Sequence, residues 1–170
     1  MQGSKMRETD ILDRIRAGIG ALSVPASVRI RIRCDLADTS VRVDPESIEK
    51  IFVDLGRNAI EAMPRGGDLT IGVEEGGEGI VITVKDTGNG ISPADMDLLF
   101  TPFFTTKPGG EGTGLGLPSV YATVKAHMGR IAVESNADPQ KGPTGTEIRI
   151  TLPRLPPKEN RETRRFLHDD

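Results

Sequence analysis

The stretch from Thr105 to Leu117 reads T-T-K-P-G-G-E-G-T-G-L-G-L and is the most informative part of this sequence. Five of the eight residues from Gly109 to Gly116 are glycine, and an amphipathic helix is predicted directly behind them. Glycines bring bare backbone N–H groups close to an anion because no Cβ intervenes, and a helix N-terminus adds about half a positive charge there. Taken alone, the run fits either an ordinary flexible surface loop or an anion-binding loop.

The rest of the sequence predicts strands and helices on both sides of this loop. Asp44 and Pro45 are the N-cap and first-turn residues that open a helix, and alternating apolar and polar residues indicate strands. Helices are predicted at 10–22, 46–63, 92–99 and 118–128, and strands at 28–36, 69–75, 79–85, 130–135 and 146–152. Because hairpins interrupt the alternation of strands and helices, we predict an α/β two-layer sandwich with a mixed, largely antiparallel sheet and helices on one face.

The composition argues against several classes of function. The 170 residues carry a net charge of -3, without Trp and with 4% aromatic residues, so no nucleic-acid partner is expected. The single cysteine, Cys34, cannot form an internal disulfide, and the two histidines, His127 and His168, are too few for a His-rich metal site. No apolar run reaches the length of a membrane span and no signal peptide opens the chain, so one cytoplasmic domain is expected.

Two polar residues interrupt the apolar face of the predicted helix 46–63. Asn58 lies seven residues after Ile51 and therefore points almost the same way as that buried side chain, and Asp54 lies one turn earlier on the same side. A polar side chain at the edge of a core needs a partner there. That partner is either the neighbouring backbone or, for an amide oxygen, a hard cation such as Mg²⁺.

Asp86 ends a predicted strand and is followed by T-G-N-G, in which Gly88 and Gly90 are the glycines. The string fits a plain Asp-Gly turn. It also fits a ligand site, in which the carboxylate accepts from an amino group while the glycines let a flat ring approach the backbone. Such a site rejects a ligand that lacks the matching donor.

Five short strings together resemble the motifs of one superfamily. Residues 58–62 (N-A-I-E-A) resemble the N box of the GHKL ATP-binding superfamily, and residues 86–90 (D-T-G-N-G) resemble its G1 box. Residues 112–117 (G-T-G-L-G-L) match its G2 box, and residues 145–146 (G-T) match its late Gly-Thr element. Residues 100–107 (F-T-P-F-F-T-T-K) resemble the F box of sensor histidine kinases. No P-loop or dinucleotide fingerprint is present. The resemblance is to the catalytic domain of a sensor histidine kinase similar to nitrogen-regulatory kinases, and it implies the Bergerat fold with a mobile ATP lid.

The resemblance implies a role for each matched residue. Asn58 would ligate the Mg²⁺ that bridges the phosphates, and Asp86 would accept from the adenine amino group, with Thr146 assisting through a water. Residues 100–112 would form the lid, from which Lys107 would reach the terminal phosphates. The other nucleotide-binding positions that it implies are Ala62, Gly88, Gly90, Gly112, Thr113, Gly114, Leu115, Gly116 and Leu117.

Two features depart from the common kinase pattern. Asp54 stands where these kinases usually carry Asn, and in the ATPase branches of the superfamily a Glu at this position activates water. The phosphoacceptor histidine of the family, which stands before Glu or Asp, has no match here. His127 lies at a predicted helix end, where a cation is stabilising, and His168 lies in the polar tail.

The resemblance therefore implies a domain that binds ATP and Mg²⁺ and transfers the γ-phosphoryl group to a histidine of a dimerisation domain absent from this chain. A response regulator receiver domain would be the downstream partner. The full kinase would be a homodimer, either cytoplasmic or membrane-bound, and this fragment a monomer. Residues 1–26 would end an upstream helical hairpin, 27–153 would be the ATP-binding domain, and 154–170 a flexible tail. Two alternatives stay open: a GHKL-type ATPase that uses Asp54 on water, and a nucleotide-sensing regulatory module.

Overall fold

The computed structural model describes residues 5–102, 104 and 116–154. Its elements follow one another in the order β1 (Arg7–Asp10), α1 (Ile11–Gly20), β2 (Val28–Cys34), β3 (Ser40–Val43), α2 (Pro45–Glu61), β4 (Gly67–Gly76), β5 (Gly79–Asp86), α3 (Pro93–Met96), α4 (Gly116–Ala126), β6 (Arg130–Asn136), a 3₁₀ turn (Pro139–Lys141) and β7 (Gly145–Leu152). Every predicted helix and strand is present, with ends shifted by a few residues. None of the helices in the described part of the chain has the length and apolar character of a membrane span.

The main sheet has five strands in the order β2-β4-β5-β7-β6. Strand β2 runs parallel to β4, and the other three pairs are antiparallel. Helices α2 and α4 pack on the sheet and on each other, and α1 packs on α2. The predicted α/β two-layer sandwich, with a mixed and largely antiparallel sheet, is confirmed.

Alternation along the strands builds the core between the sheet and the helices. Alternate residues along the middle of β4, β5 and β7 are apolar and buried, and they form one core with an apolar face of α2. Each fully buried aliphatic side chain contributes about 1.5–3 kcal/mol. The strand residues are Leu69, Ile71, Val73, Ile80, Ile82, Val84, Ile148, Ile150 and Leu152, and the helix residues are Ile48, Ile51, Phe52 and Leu55. The same alternation continues to Asp86 and Thr146, which therefore face the helices from the sheet's end.

Helix α1 packs into the core of this domain, and the prediction that residues 1–26 end an upstream helical hairpin stays untested. The helix begins at Ile11, where the Asp10 side chain caps it by accepting from the N–H of Leu12 at 2.9 Å, and strand β1 precedes it. Ile11 and Ile15 are fully buried in the common core, so α1 is part of this fold. The segment boundaries of the intact protein stay a prediction.

The small sheet of β1 and β3 was not predicted, because four residues in each strand are too few to show a period of two.

Arg154, the first residue of the predicted flexible tail, is held in place. Its Nη2 donates to Glu75 Oε2 at 2.6 Å and to the Asp38 carbonyl at 2.9 Å. The later residues of that tail lie outside the described part of the chain.

Candidate active site

A polar stripe runs along one face of helix α2. Its two polar residues, Asp54 and Asn58, are four positions apart and therefore lie one above the other on the helix surface, and the C-cap residue Ala62 follows four positions later. Asn58 is half-buried and faces the start of α4, since a Cβ at Gly116 would lie 3.9 Å from Asn58 Nδ2. The stripe therefore adjoins the first turn of the helix that follows the glycine-rich run.

The carboxylate of Asp54 is largely withdrawn from water. Its side chain is 12% exposed, and its Oδ1 lies 3.8 Å from Nη1 of Arg57, which is itself mostly exposed. Burial raises the pKa of Asp54, and the charges of Lys50 and Arg57 oppose this shift without cancelling it. A carboxylate in this state is chemically able to accept a proton, as the ATPase alternative requires.

Asp86 is the most buried carboxylate of the candidate site, at 8% exposure. Its Oδ1 accepts the N–H of Gly88 at 2.8 Å and the N–H of Thr146 at 3.3 Å. Burial raises the pKa of Asp86, and these two hydrogen bonds lower it by less. Among the described residues none donates to Oδ2, so this oxygen is available to a ligand.

The two glycines after Asp86 pack directly on neighbouring backbone. A Cβ at Gly88 would lie 2.5 Å from the carbonyl oxygen of Ala62, and the same oxygen accepts the N–H of Asn89 at 2.9 Å. Gly90 has φ of 73° and its missing Cβ would overlap the carbonyl group of Asn136. The loop is therefore fixed between the end of α2 and the end of β6, which accounts for both glycines without a ligand.

Ser135 adjoins Thr146 in the candidate site, and the sequence analysis does not single it out. Its Oγ lies 2.8 Å from Thr146 Oγ1, accepts the N–H of Ile91 at 2.8 Å and donates to the carbonyl of Gly145 at 2.9 Å. The signal was present in the pattern, because Ser135 ends one predicted strand and Thr146 begins the next. Pairing of these two strands places the hydroxyl groups opposite each other.

The predicted phosphate-binding positions are only partly described. Gly116 and Leu117 are the first residues of α4, and Leu117 packs against the core. Phe100, the first residue of the predicted lid, packs against Tyr121 of α4, with ring centroids 5.0 Å apart and the ring planes tilted by 40°. Lys107, Gly112, Thr113, Gly114, Leu115 and most of the predicted lid lie outside the described residues.

The sequence suggested that His127 could be a cation at a helix end, but the hydrogen bonds of its ring exclude this. The ring is buried, and its Nε2 accepts the N–H of Asp44 at 3.1 Å, which requires an unprotonated nitrogen. Its Nδ1 lies 2.7 Å from the carbonyl of Thr123, to which it can only donate. The imidazole is therefore neutral, and it joins the end of α4 to the start of α2.

The candidate site offers few protein ligands to a metal ion. No group of three or more His, Cys, Asp or Glu side chains arranged to hold a metal occurs within the described residues. A site built wholly from protein ligands is thus not seen there. Mg²⁺ commonly uses one or two protein oxygens together with phosphate oxygens and waters, and the Asn58 amide beside the start of α4 suits that mode of binding.

Sequence comparison places the chain among known proteins. Residues 43–156 match the family described as histidine kinase-, DNA gyrase B-, and HSP90-like ATPase. The sensor histidine kinase ZraS of Escherichia coli (strain K12) is 36% identical over 144 residues, which make up 83% of this chain and 30% of ZraS. Sporulation kinase E of Bacillus subtilis (strain 168) is 32% identical over 168 residues, or 96% of this chain and 21% of that kinase. The chain thus spans less than a third of these curated relatives.

Solved structures agree with the sequence relatives. The mycobacterial sensor histidine kinase MprB superposes with a TM-score of 0.76 at 27% identity, over 89% of this chain and 99% of that one. The catalytic domain of histidine kinase ThkA gives a TM-score of 0.73 at 25% identity, over 88% and 96% of the two chains. The chain therefore belongs to the histidine kinase-, DNA gyrase B- and HSP90-like ATPase family, and it is an ATP-binding catalytic domain of the sensor histidine kinase type.

Proposed function

We propose that this chain binds Mg-ATP against Asp86 and supplies the γ-phosphoryl group to a histidine of a separate dimerisation domain. The observation that carries the proposal is the half-satisfied carboxylate of Asp86, in which Oδ1 is held by two backbone N–H groups and Oδ2 is left for a ligand. A carboxylate oxygen without a donor from the described residues favours a ligand that brings one. The amino group of adenine is such a donor.

The contact between α2 and α4 supports the position proposed for the phosphates. The first turn of α4 has backbone N–H groups without partners inside the helix, and a partial positive charge. Asn58 lies beside it and would hold Mg²⁺ through its amide oxygen together with the phosphate oxygens. Bound Mg²⁺ neutralises the charge on the phosphates. The loop positions proposed to complete this site are Lys107, Gly112, Thr113, Gly114 and Leu115.

The phosphoacceptor is proposed to lie on a different domain. A phosphoacceptor histidine needs a free ring nitrogen, and both nitrogens of the buried His127 are engaged. Phosphoryl transfer depends mainly on positioning and charge stabilisation, which a domain can provide to an acceptor that docks from outside. We further propose that the intact kinase is a homodimer, that this fragment is monomeric, and that a response regulator receiver domain takes the phosphoryl group afterwards.

The alternatives are less well supported. A GHKL-type ATPase would use Asp54 to activate water, and the burial that raises the pKa of Asp54 is compatible with that role. The relatives described above are sensor kinases, however, which favours a kinase over an ATPase. A purely nucleotide-sensing module is not favoured either, for the same reason.

Calorimetric titration with Mg-ATP tests the proposal. The wild-type protein is expected to bind ATP, and Asp86→Asn is expected to lose at least about tenfold in affinity, which corresponds to about 1.4 kcal/mol. Asp97→Asn is the matched control, because Asp97 is an exposed carboxylate at the end of α3. Equal affinity of the folded Asp86→Asn variant and the wild type would refute the adenine assignment.

A further inference from the structure

Ser135, Thr146 and Asp86 form a polar row across three neighbouring strands at one end of the main sheet. Ser135 pairs with Thr146 between β6 and β7. Lys85 pairs with Glu147 between β5 and β7, which places Asp86 beside Thr146. Hydrogen bonds connect the row, since the Thr146 N–H donates to Asp86 Oδ1 at 3.3 Å and the Thr146 and Ser135 hydroxyl oxygens are 2.8 Å apart.

The contacts of Ser135 determine the direction of the hydroxyl hydrogen bonds. The carbonyl of Gly145, 2.9 Å away, can only accept, so Ser135 donates its single proton there. The N–H of Ile91, 2.8 Å away, can only donate, so it occupies one lone pair of Ser135. The second lone pair is left for Thr146, which must donate its hydroxyl proton to Ser135.

This arrangement makes the row an acceptor towards any ligand. Once its proton is committed to Ser135, the Thr146 oxygen has only lone pairs to offer. Asp86 Oδ2 is an acceptor as well, because the site holds a carboxylate. A ligand group next to Thr146 and Asp86 therefore meets acceptors at both positions.

We propose that Ser135 is a positioning residue for base selection: by taking the hydroxyl proton of Thr146, it favours a purine with an amino group over a purine with an oxo group at the same ring position. The inference rests on the proposed nucleotide binding. An amino group brings donors to both acceptors, whereas an oxo group places lone pairs against lone pairs in a buried site. Without Ser135 the Thr146 hydroxyl rotates freely and donates to the oxo group.

The test compares the affinities of the domain for ATP and inosine triphosphate, measured by calorimetry with Mg²⁺. In Ser135→Ala the preference for ATP over inosine triphosphate is expected to fall about fivefold, the size of one hydrogen bond. Ser135→Thr keeps the hydroxyl and is expected to restore the preference. In a Thr146→Val background, Ser135→Ala is expected to change the preference no further.

The outcomes separate the inference from the proposed function. If Ser135→Ala weakens both nucleotides by the same factor, or leaves the preference unchanged, Ser135 has no selective role and the inference fails. If the wild-type protein binds neither nucleotide, the proposed function fails first. Should Ser135→Ala not fold, Ser135→Cys replaces it, because a thiol accepts only weakly and the preference should fall in the same direction.

Discussion

The Oδ1 atom of Asp86 lies 2.8 Å from the backbone nitrogen of Gly88, which donates a hydrogen bond to it. This contact turns the carboxylate at the end of β5 towards the loop that packs on α2. Burial nevertheless raises the pKa of Asp86, since the bonds from Gly88 and Thr146 offset only part of the desolvation. The ionised carboxylate is therefore kept at some cost to stability, as is common for groups placed to bind a ligand.

Asp86→Asn is expected to stabilise the protein at neutral pH while it weakens ATP binding. A raised pKa in the folded state means that the contribution of Asp86 to stability is full below the ordinary Asp value and is lost as pH rises through the folded value. The variant should therefore melt about 2–4 °C higher at pH 7, and the difference should shrink as pH falls through the raised pKa of Asp86 and be lost below about pH 4. Thermal unfolding at the two pH values measures this. A lower melting temperature at neutral pH would contradict the burial argument.

Gly88→Ala is expected to destabilise the loop through a steric clash with the end of α2. The added methyl group would lie 2.5 Å from the Ala62 carbonyl oxygen, and overpacking of this kind costs about 1–3 kcal/mol. Gly77→Ala is the control, because no atom lies within 4 Å of a Cβ there. Urea unfolding of both variants gives the comparison, and equal stability of the two would show that the loop does not pack as described.

Asn58→Ala is expected to remove the metal-dependent part of ATP binding. If Asn58 holds Mg²⁺ against the phosphates, the wild type should bind ATP about tenfold more tightly with Mg²⁺ than with EDTA, a difference of about 1.4 kcal/mol. The variant should bind equally in both conditions, with the EDTA affinity unchanged. Titration calorimetry in the two buffers is the measurement. A variant that keeps the full Mg²⁺ effect would rule out this role for Asn58.

His127→Leu is expected to loosen the junction between α4 and α2. The substitution leaves the Asp44 N–H without the ring nitrogen that now accepts it, and a buried donor left unsatisfied costs about 1–3 kcal/mol. Ala122→Leu, at an exposed position of the same helix, serves as the control. Denaturant unfolding that shows no difference between these variants would mean that the bridge contributes nothing to stability.

Long elements with a clear period were predictable from the sequence. Strands β4, β5 and β7 alternate strictly, and α2 carries its cap at Asp44 and an apolar face beyond it. The two-stranded sheet of β1 and β3 has no such pattern, and its pairing depends on contacts far apart in the sequence. The packing of α1 also depends on distant contacts. Its apolar positions predict a helix, but they do not show which part of the protein the helix packs against.

The candidate site was predictable where a motif marks it, and less so where tertiary contacts define it. The sequence places Asp86 at a strand end, whereas the two N–H groups that hold its Oδ1 and leave Oδ2 without a donor from the described residues are seen only in the structure. The neutral state of His127 was not predictable, because it depends on the N–H of Asp44, which lies 83 residues away in the chain. The contact of Ser135 with Thr146 could be predicted only from the exact pairing of β6 with β7, which is set by the hairpin between them.

The fate of the γ-phosphate in a single turnover tests the central claim most directly. Protein in excess over Mg-ATP is incubated and quenched, and free phosphate is measured after calorimetry has confirmed binding. Bound and intact ATP is the predicted result, because the acceptor histidine is proposed to lie on another domain and Asp54 is not expected to activate water efficiently. Prompt release of phosphate by the wild type, lost in Asp54→Asn, would contradict the kinase assignment and identify an ATPase.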